Sequence, residues 1–406
     1  MSKVTESLTS RHIARRAAAL SESATLGLSQ RVRELSEQGI DVVHLGSGQP
    51  DFPTPENVIS AAAAACHDPA NHRYSATAGL IGLRTTIARM ATEDTQVPVD
   101  PAQVVVTNGT KQALAHVFQA LIDPGDEVLL PQPAWVTYPD QISLAGGTPV
   151  PIMGDPENGF RVTTALLDDA FTNRTTMLVL NSPVNPTGTV YLESELREIG
   201  QWALERDIWV AIDEIYSRLV YPPNVFHSLV EVVPQLAAQC LTFDGVSKSF
   251  AMTGWRVGWL IAPPKIAQVI SDLQSQVCGN VDNVAQRAAE AALQGPRDQL
   301  SIILAEFDRR RQLLYGGLTA IPDVSCCEPQ GAFYTFPDFR RRLLRPILGH
   351  QVKSTLELAQ LLLDEARVAV VPGEAFGAPG FLRISFASSR ERLAEGLRRI
   401  AAALSE

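Results

Sequence analysis

Between residues 103 and 262 the chain alternates short β-branched apolar runs with amphipathic stretches of helical length, a pattern that admits few architectures. The runs predict strands over 103–107, 127–130, 148–152, 176–181, 208–213, 240–243 and 257–262, with helices such as 111–121 and 193–206 between them. Residues 177–180 and 209–212 are apolar without alternation, as in strands covered on both faces. Strand and helix in alternation predict an α/β fold with a mainly parallel mixed sheet and helices on both its faces. After about residue 294 the pattern changes to a long charged helix over 296–318, scattered strands at 332–336, 368–371 and 381–385, and a closing helix from Ser389. That part reads as a smaller α+β domain of residues 23–56 and 305–406, with the segment 26–45 folded back against the C-terminal region. The large α/β domain would span 57–304, and residues 1–22 would form an N-terminal arm. At 406 residues the chain is long enough for two cores.

Asp and Glu outnumber Lys and Arg by 44 to 34, a formal net charge of −10. Such a surface repels phosphate backbones and anionic membranes, so neither nucleic acid nor membrane is an expected partner. The five cysteines form no CxxC pair, the seven histidines no HxxxH spacing, and neither a disulfide framework nor a metal site is expected. The first twenty residues include Arg11, Arg15 and Arg16 but no apolar segment, unlike a secretory signal. No run approaches the roughly 18 consecutive apolar residues of a membrane span. A reducing, cytoplasmic setting is expected.

Chemistry concentrates in four segments. Ser247-Lys248-Ser249-Phe250-Ala251-Met252-Thr253-Gly254-Trp255-Arg256 puts a lysine after a strand among small and apolar residues. Desolvation there lowers an amine pKa, as a Schiff-base lysine requires, and Ser247 and Arg256 can donate to a phosphate. Asn181 to Gly188 lies at a strand end, where ligands gather in open α/β sheets, although alone it reads first as a tight turn. Asp213, in Asp213-Glu214-Ile215-Tyr216, also ends a strand; it can pair with a protonated pyridine nitrogen or merely cap a helix. Thr107-Asn108-Gly109-Thr110-Lys111 leads into a helix whose first N–H groups suit a phosphate. It is not a GxxxxGK loop. Nor does Gly46-Ser47-Gly48 begin a dinucleotide fingerprint, because Pro50 follows and Asp51 holds the third glycine's place.

Taken in order, the blocks LGSGQPDF (45–52), NGTKQA (108–113), PAWVTYP (133–139), NSPVNPTG (181–188), DEIY (213–216), SKSFAMTGWRVG (247–258), GAFY (331–334) and FLRISFA (381–387) resemble the class I/II aminotransferases. These are enzymes of pyridoxal-phosphate (PLP) fold type I, and the likeness is nearest to their aspartate/aromatic branch. The resemblance implies that Lys248 holds PLP as a Schiff base and later moves the substrate α-proton. Asp213 would partner the pyridine nitrogen, Asn185 and Tyr216 would reach the ring's phenolic oxygen, and Trp135 would stack on the ring. Gly109, Thr110, Ser247 and Arg256 resemble the phosphate cup, completed by Tyr74 from a neighbouring subunit of a homodimer. Arg383 resembles the arginine that grips the substrate α-carboxylate, helped by the Gly48 backbone and Asn185.

Lys111 matches a lysine that one branch places near a distal carboxylate, which favours acidic substrates, with aromatic ones second, and 2-oxoglutarate as acceptor. It can also simply add positive potential near the phosphate. The stretch Cys278-Gly279-Asn280-Val281-Asp282-Asn283 departs from the small hydroxylated residues common in relatives, and resembles one that borders the neighbour's substrate pocket. There Asp282 and Asn283 can cap the next helix or alter the pocket wall. The same scaffold hosts PLP lyases, eliminases and cyclising enzymes, an alternative the sequence leaves open.

Overall fold

The computed structural model describes residues 13–18, 20, 24–296 and 298–405; residues 1–12, 19, 21 and 22 of the predicted arm lie outside these. Strand β1 (Val43–His44) precedes the large sheet, whose members are β2 (Val104–Thr107), β3 (Glu127–Gln132), β4 (Thr148–Met153), β5 (Thr175–Asn181), β6 (Trp209–Asp213), β7 (Cys240–Gly245) and β8 (Gly258–Ile261). Their order across the sheet is β2-β8-β7-β6-β5-β3-β4. β8 alone runs against the direction of the other six strands. The parallel pairs need crossovers, and helices such as Glu193–Glu205 between β5 and β6 supply them.

Helix Thr110–Leu121 shows why these segments fold as they do. Its residues Ala113, Leu114, Val117 and Phe118 fall on one face and are buried against the sheet residues Val105, Leu241 and Phe243. Burial of each of the larger three stabilises by roughly 1.5–3 kcal/mol. The opposite face of the sheet packs the Glu193–Glu205 helix through Leu196, Ile199 and Trp202. Helix Asn283–Gln294 starts where Asp282 Oδ1 accepts from Ala285 N at 2.7 Å.

Beyond the sheet, β1 pairs in parallel with β10 (Val368–Ala369), so the segment predicted to fold back does so. A second small sheet joins β9 (Tyr334–Thr335), β11 (Val371–Pro372) and β12 (Leu382–Ser385) in the order β11-β12-β9. Helices Asp298–Thr319, Thr355–Asp364 and Arg390–Ser405 pack there around Phe307, Leu314, Leu358, Leu393 and Ile400.

The sequence expectation over 332–336 is corrected to the two residues of β9, because Ala332 takes φ 55°, a left-handed conformation no strand continues through. The run 368–371 divides, since β10 pairs with β1 while β11 pairs with β12. Gln103 belongs to a short turn capped by Asp100, and β2 begins one residue later. No helix of the described residues is long and apolar enough to cross a membrane.

Candidate active site

The C-terminal ends of β5 and β6 lie in register, with Asn181 opposite Asp213. Above them opens a cavity of about 800 Å³ that also meets the loop after β7 and the start of helix Thr110–Leu121. Of the thirteen residues singled out from the sequence, twelve line it: Gly48, Gly109, Thr110, Lys111, Trp135, Asn185, Asp213, Tyr216, Ser247, Lys248, Arg256 and Arg383. Tyr74 does not; it stands 99% exposed.

Lys248 follows β7, and its Nζ donates to the Gly48 carbonyl at 2.6 Å. Burial, then the nearby positive charges of Arg383 and Arg256, hold its amine down to about 8, against the opposing pull of Asp213. A substantial neutral fraction near pH 8 makes it a usable nucleophile and base.

Asp213 is buried, and its carboxyl is pushed up to about 6 by desolvation, partly offset by hydrogen bonds. Tyr138 Oη donates to Oδ2 at 2.9 Å and the Ile215 amide to Oδ1 at 3.2 Å. Tyr216 Oη shares a hydrogen bond of 3.0 Å with Tyr334 Oη on the cavity wall. The Asn185 amide N–H donates to Asn181 Oδ1 at 2.8 Å, and Asn181 Nδ2 donates to the Asp213 carbonyl at 2.7 Å. Those bonds tie the two strand ends together.

Arg383, on β12, is buried beneath the same space. Its Nη1 donates to Asn185 Oδ1 at 3.1 Å and its Nη2 to the Gly46 carbonyl at 2.9 Å. Its guanidinium lies 4.3 Å from the Tyr334 ring centre. Nε has no hydrogen-bond partner. A guanidinium so fixed on the cavity wall is suited to a carboxylate bound in the cavity.

At the other end, Gly109 takes φ 78°, and a Cβ there would collide with Arg256 Nη2. A Cβ on Gly258 would come within 2.6 Å of the Thr110 N. Two glycines therefore let helix start, strand and guanidinium close to one another. Arg256 Nη1 donates to the Thr253 carbonyl at 3.0 Å and Nη2 to the Asn108 carbonyl at 3.1 Å. Lys111 Nζ stands 4.9 Å from the centre of the Trp135 ring, its pKa lowered first by burial and then by Arg256.

Of the two readings of the 278–283 stretch, helix capping holds for Asp282, and none of the stretch's residues lines this cavity. Asp282 caps its helix, while buried Asn283 braces the loop that bears Tyr74: Nδ2 donates to the Asn71 and Arg73 carbonyls at 3.2 and 2.8 Å, and Oδ1 accepts from Ser75 Oγ at 2.7 Å. Cys278 Sγ accepts from Gln112 Nε2 at 2.8 Å, which links the stretch to the helix that begins at the cavity. Sequence reasoning missed Tyr138 and Tyr334. Both sit inside quoted blocks, but their partners lie 75 and 118 residues away.

The donor set fits a phosphorylated pyridine aldehyde. An amine of lowered basicity would meet the aldehyde, a buried carboxyl the ring nitrogen, hydroxyl and amide donors the phenolic oxygen, and the Gly109–Arg256 corner with the Thr110 helix start the phosphate. Arg383, which lines the same cavity, can present its guanidinium to a substrate carboxylate there.

Comparison with known proteins agrees with that chemistry. The family described as Aminotransferase class I and II matches residues 40–400. The chain is 48% identical to a Streptomyces avermitilis protein named aspartate aminotransferase, over 98% of each. It is 42% identical to an Aquifex aeolicus protein named probable aspartate/prephenate aminotransferase, over 97% of this chain and 99% of the other. The Rhizobium meliloti aspartate aminotransferase structure superposes with a TM-score of 0.93 at 37% identity, covering 97% of this chain and 99% of that one. The Thermus thermophilus aspartate aminotransferase with maleate gives a TM-score of 0.90 at 38% identity, over 96% and 99%.

Proposed function

The chain belongs to the class I and II aminotransferases, and from that premise we propose that it moves amino groups between dicarboxylic substrates, with aspartate or glutamate as donor and a 2-oxo acid such as 2-oxoglutarate as acceptor. As a member of that family it is a PLP-dependent transaminase. Full-length relatives that carry aminotransferase names support transamination in place of the lyase and cyclising alternatives. Aromatic donors come second.

One observation carries the assignment of roles: an amine held down to about 8, a buried carboxyl raised to about 6 and a buried guanidinium face the same cavity. Lys248 would hold the cofactor covalently, with Asp213, Asn185, Tyr216, Trp135, Gly109, Thr110, Ser247 and Arg256 around it. Bound there, PLP supplies an electron sink beside the substrate α-carbon. Arg383 takes the α-carboxylate in a forked pair of hydrogen bonds that fixes the α-carbon near Lys248, with Asn185 and the Gly48 backbone completing the grip. Lys248 Nζ, once free of the cofactor, accepts the α-proton and returns one to the product. Lys111 draws the distal carboxylate towards Trp135. Dicarboxylate recognition gains support from the maleate, itself a dicarboxylate, in the Thermus thermophilus structure.

We further infer a homodimer in which Tyr74 completes the partner's phosphate cup, an inference supported by its full exposure outside its own cavity. The division into 57–304 and a smaller part of 23–56 with 305–406 is supported by the β1–β10 pairing. Free cysteines, three of them exposed, suit a cytoplasmic setting.

Purified with PLP and reduced with borohydride, the protein should carry the cofactor on Lys248 in a peptide map. A label on another lysine, or none, overturns the assignment. A panel of donors, scored by cofactor absorbance with and without 2-oxoglutarate, should rank aspartate and glutamate first. A donor that returns the starting spectrum and releases ammonia without an oxo acid would point to elimination.

A further inference from the structure

A second cavity, of about 390 Å³, lies beneath β7 and β8, and none of the chemistry above uses it. Thr242 and Asp244 on β7 and Trp259 and Ile261 on β8 reach it from the face opposite to the one that packs Leu241, Phe243 and Leu260. Helix Ile81–Thr95 closes one side with Met90 and Asp94, and Phe226 closes another. The walls are mainly apolar.

Its charged groups are acids except for Arg218. Arg218 pairs with Asp244 at 2.8 Å and more loosely with Asp94 at 3.4 Å, and Glu231 stands nearby on helix Leu229–Val232. Glu214, which directly follows Asp213, is 6% exposed. Its Oε1 accepts from Ser228 Oγ at 2.8 Å and from the Leu229 amide at 3.4 Å. Its other oxygen, Oε2, takes part in no hydrogen bond among the described residues, although Glu214 lines the cavity. Internal pairing thus leaves a mainly apolar pocket with one carboxyl oxygen of Glu214 free towards it and an excess of acids around a single guanidinium. An anion would meet repulsion, and a wholly apolar guest would leave that oxygen unpaired.

We propose that this cavity is a second small-molecule site, which takes a compact apolar or aromatic body bearing one protonated amine, the amine donating to Glu214 Oε2. Trp259 and Met90 would pack the body, while Asp244 and Asp94 share the field around the cation. Burial first, and then the charges of Asp244 and Asp213, push the Glu214 carboxyl up to about 8, against the hydrogen bond from Ser228. Arg218, Asp94, Glu231 and the buried Cys240 thiol are the other ionisable groups on the cavity wall. Near neutral pH Glu214 is therefore a neutral acid when the cavity is empty, and an arriving cation favours its ionised form. Up to one proton leaves Glu214 for the buffer per amine bound.

The test uses the PLP-loaded protein and N,N-dimethylphenethylamine, a tertiary amine that is charged at neutral pH and cannot condense with the cofactor aldehyde. Titration should show saturable binding in the millimolar range or tighter, by heat and by a change in tryptophan emission that Trp259→Phe abolishes. Heats measured in two buffers of different ionisation enthalpy should reveal proton release near pH 7 that vanishes in Glu214→Gln. Affinity should fall about tenfold in Glu214→Gln, and 2-phenylethanol should bind at least about tenfold more weakly than the amine. Should Glu214→Gln not fold, Asp94→Asn at the cavity rim supplies the charge test, with a loss of about threefold. Absence of saturable binding, equal affinity for amine and alcohol, or an emission change that persists in Trp259→Phe each overturns the proposal.

Discussion

Asp213 and Glu214 are neighbours in sequence, yet they face two cavities of opposite character. Desolvation raises both carboxyls, to about 6 and about 8 respectively. On the Asp213 side stand Lys248, Arg383, Arg256 and Lys111, and a tyrosine hydroxyl donates directly to the carboxylate. On the Glu214 side acids predominate around Arg218. Burial alone therefore does not define the chemistry of a carboxyl; the sign of what surrounds it does. The first environment favours an anion beside a cationic ring nitrogen, and the second keeps an acid neutral until a cation arrives.

Exchanging each carboxyl for its amide is the largest test of that contrast. Asp213→Asn leaves the shape but removes the charge opposite the pyridine nitrogen. Its kcat should fall on the order of 10³-fold, as for loss of a preorganised electrostatic partner. Glu214→Gln should alter kcat by less than about threefold, since its side chain points away from the cofactor cavity. Steady-state kinetics on both variants, with cofactor occupancy read from absorbance, decides it. Comparable losses would break the distinction between the two sides.

A smaller effect sharpens the cationic side. Arg383→Lys keeps the charge but loses the fork that holds Asn185 Oδ1 and the Gly46 carbonyl. The lysine cannot also offer a planar pair to a carboxylate, so about 2–3 kcal/mol of binding is lost. KM for aspartate should rise about 30- to 150-fold with a smaller change in kcat. A KM close to the wild-type value would mean that charge alone, not geometry, recognises the substrate.

Much of the cationic cavity was legible beforehand, because strand ends and the helix start are local features. β5 and β6 announce themselves by apolar runs without alternation, and Asn181 and Asp213 end those runs. The register that sets Asn181 against Asp213 follows from the pairing of the two strands. What could not be read is whatever depends on distant partners. Tyr138 reaches Asp213 from a helix on another part of the chain, and Tyr334 reaches Tyr216 from β9, so neither hydroxyl carried a signal of its own. The anionic cavity was invisible for the same reason, with its wall assembled from helix Ile81–Thr95, the turn after β6, and strands β7 and β8. The smaller strands failed differently. The left-handed backbone at Ala332 and the exchange of partners between β10 and β11 interrupt runs whose composition reads as continuous.

The subtlest consequence of the contrast lies in stability. Glu214 has a folded-state pKa of about 8 against an ordinary value of 4.5, so between those pH values the folded protein binds more protons than the unfolded chain. Stability attributable to this group is highest below pH 4.5, falls as pH rises through the interval, and levels off above about 8. Asp213 acts in the same direction but over a narrower window, from 3.8 to about 6. Lys248, held down to about 8 from 10.5, begins to act in the opposite direction towards pH 8, so it is the difference between wild type and Glu214→Gln between about pH 6 and 8 that isolates the anionic side. Glutamine at 214 mimics the neutral acid, and its carbonyl can still accept from Ser228 and Leu229. Urea unfolding of the cofactor-free chain at about pH 6 and about pH 8 should show wild type losing roughly 2 kcal/mol more than Glu214→Gln over that interval. If the two proteins change in parallel, Glu214 is already ionised in the folded state and the two sides of β6 do not differ as their surroundings require.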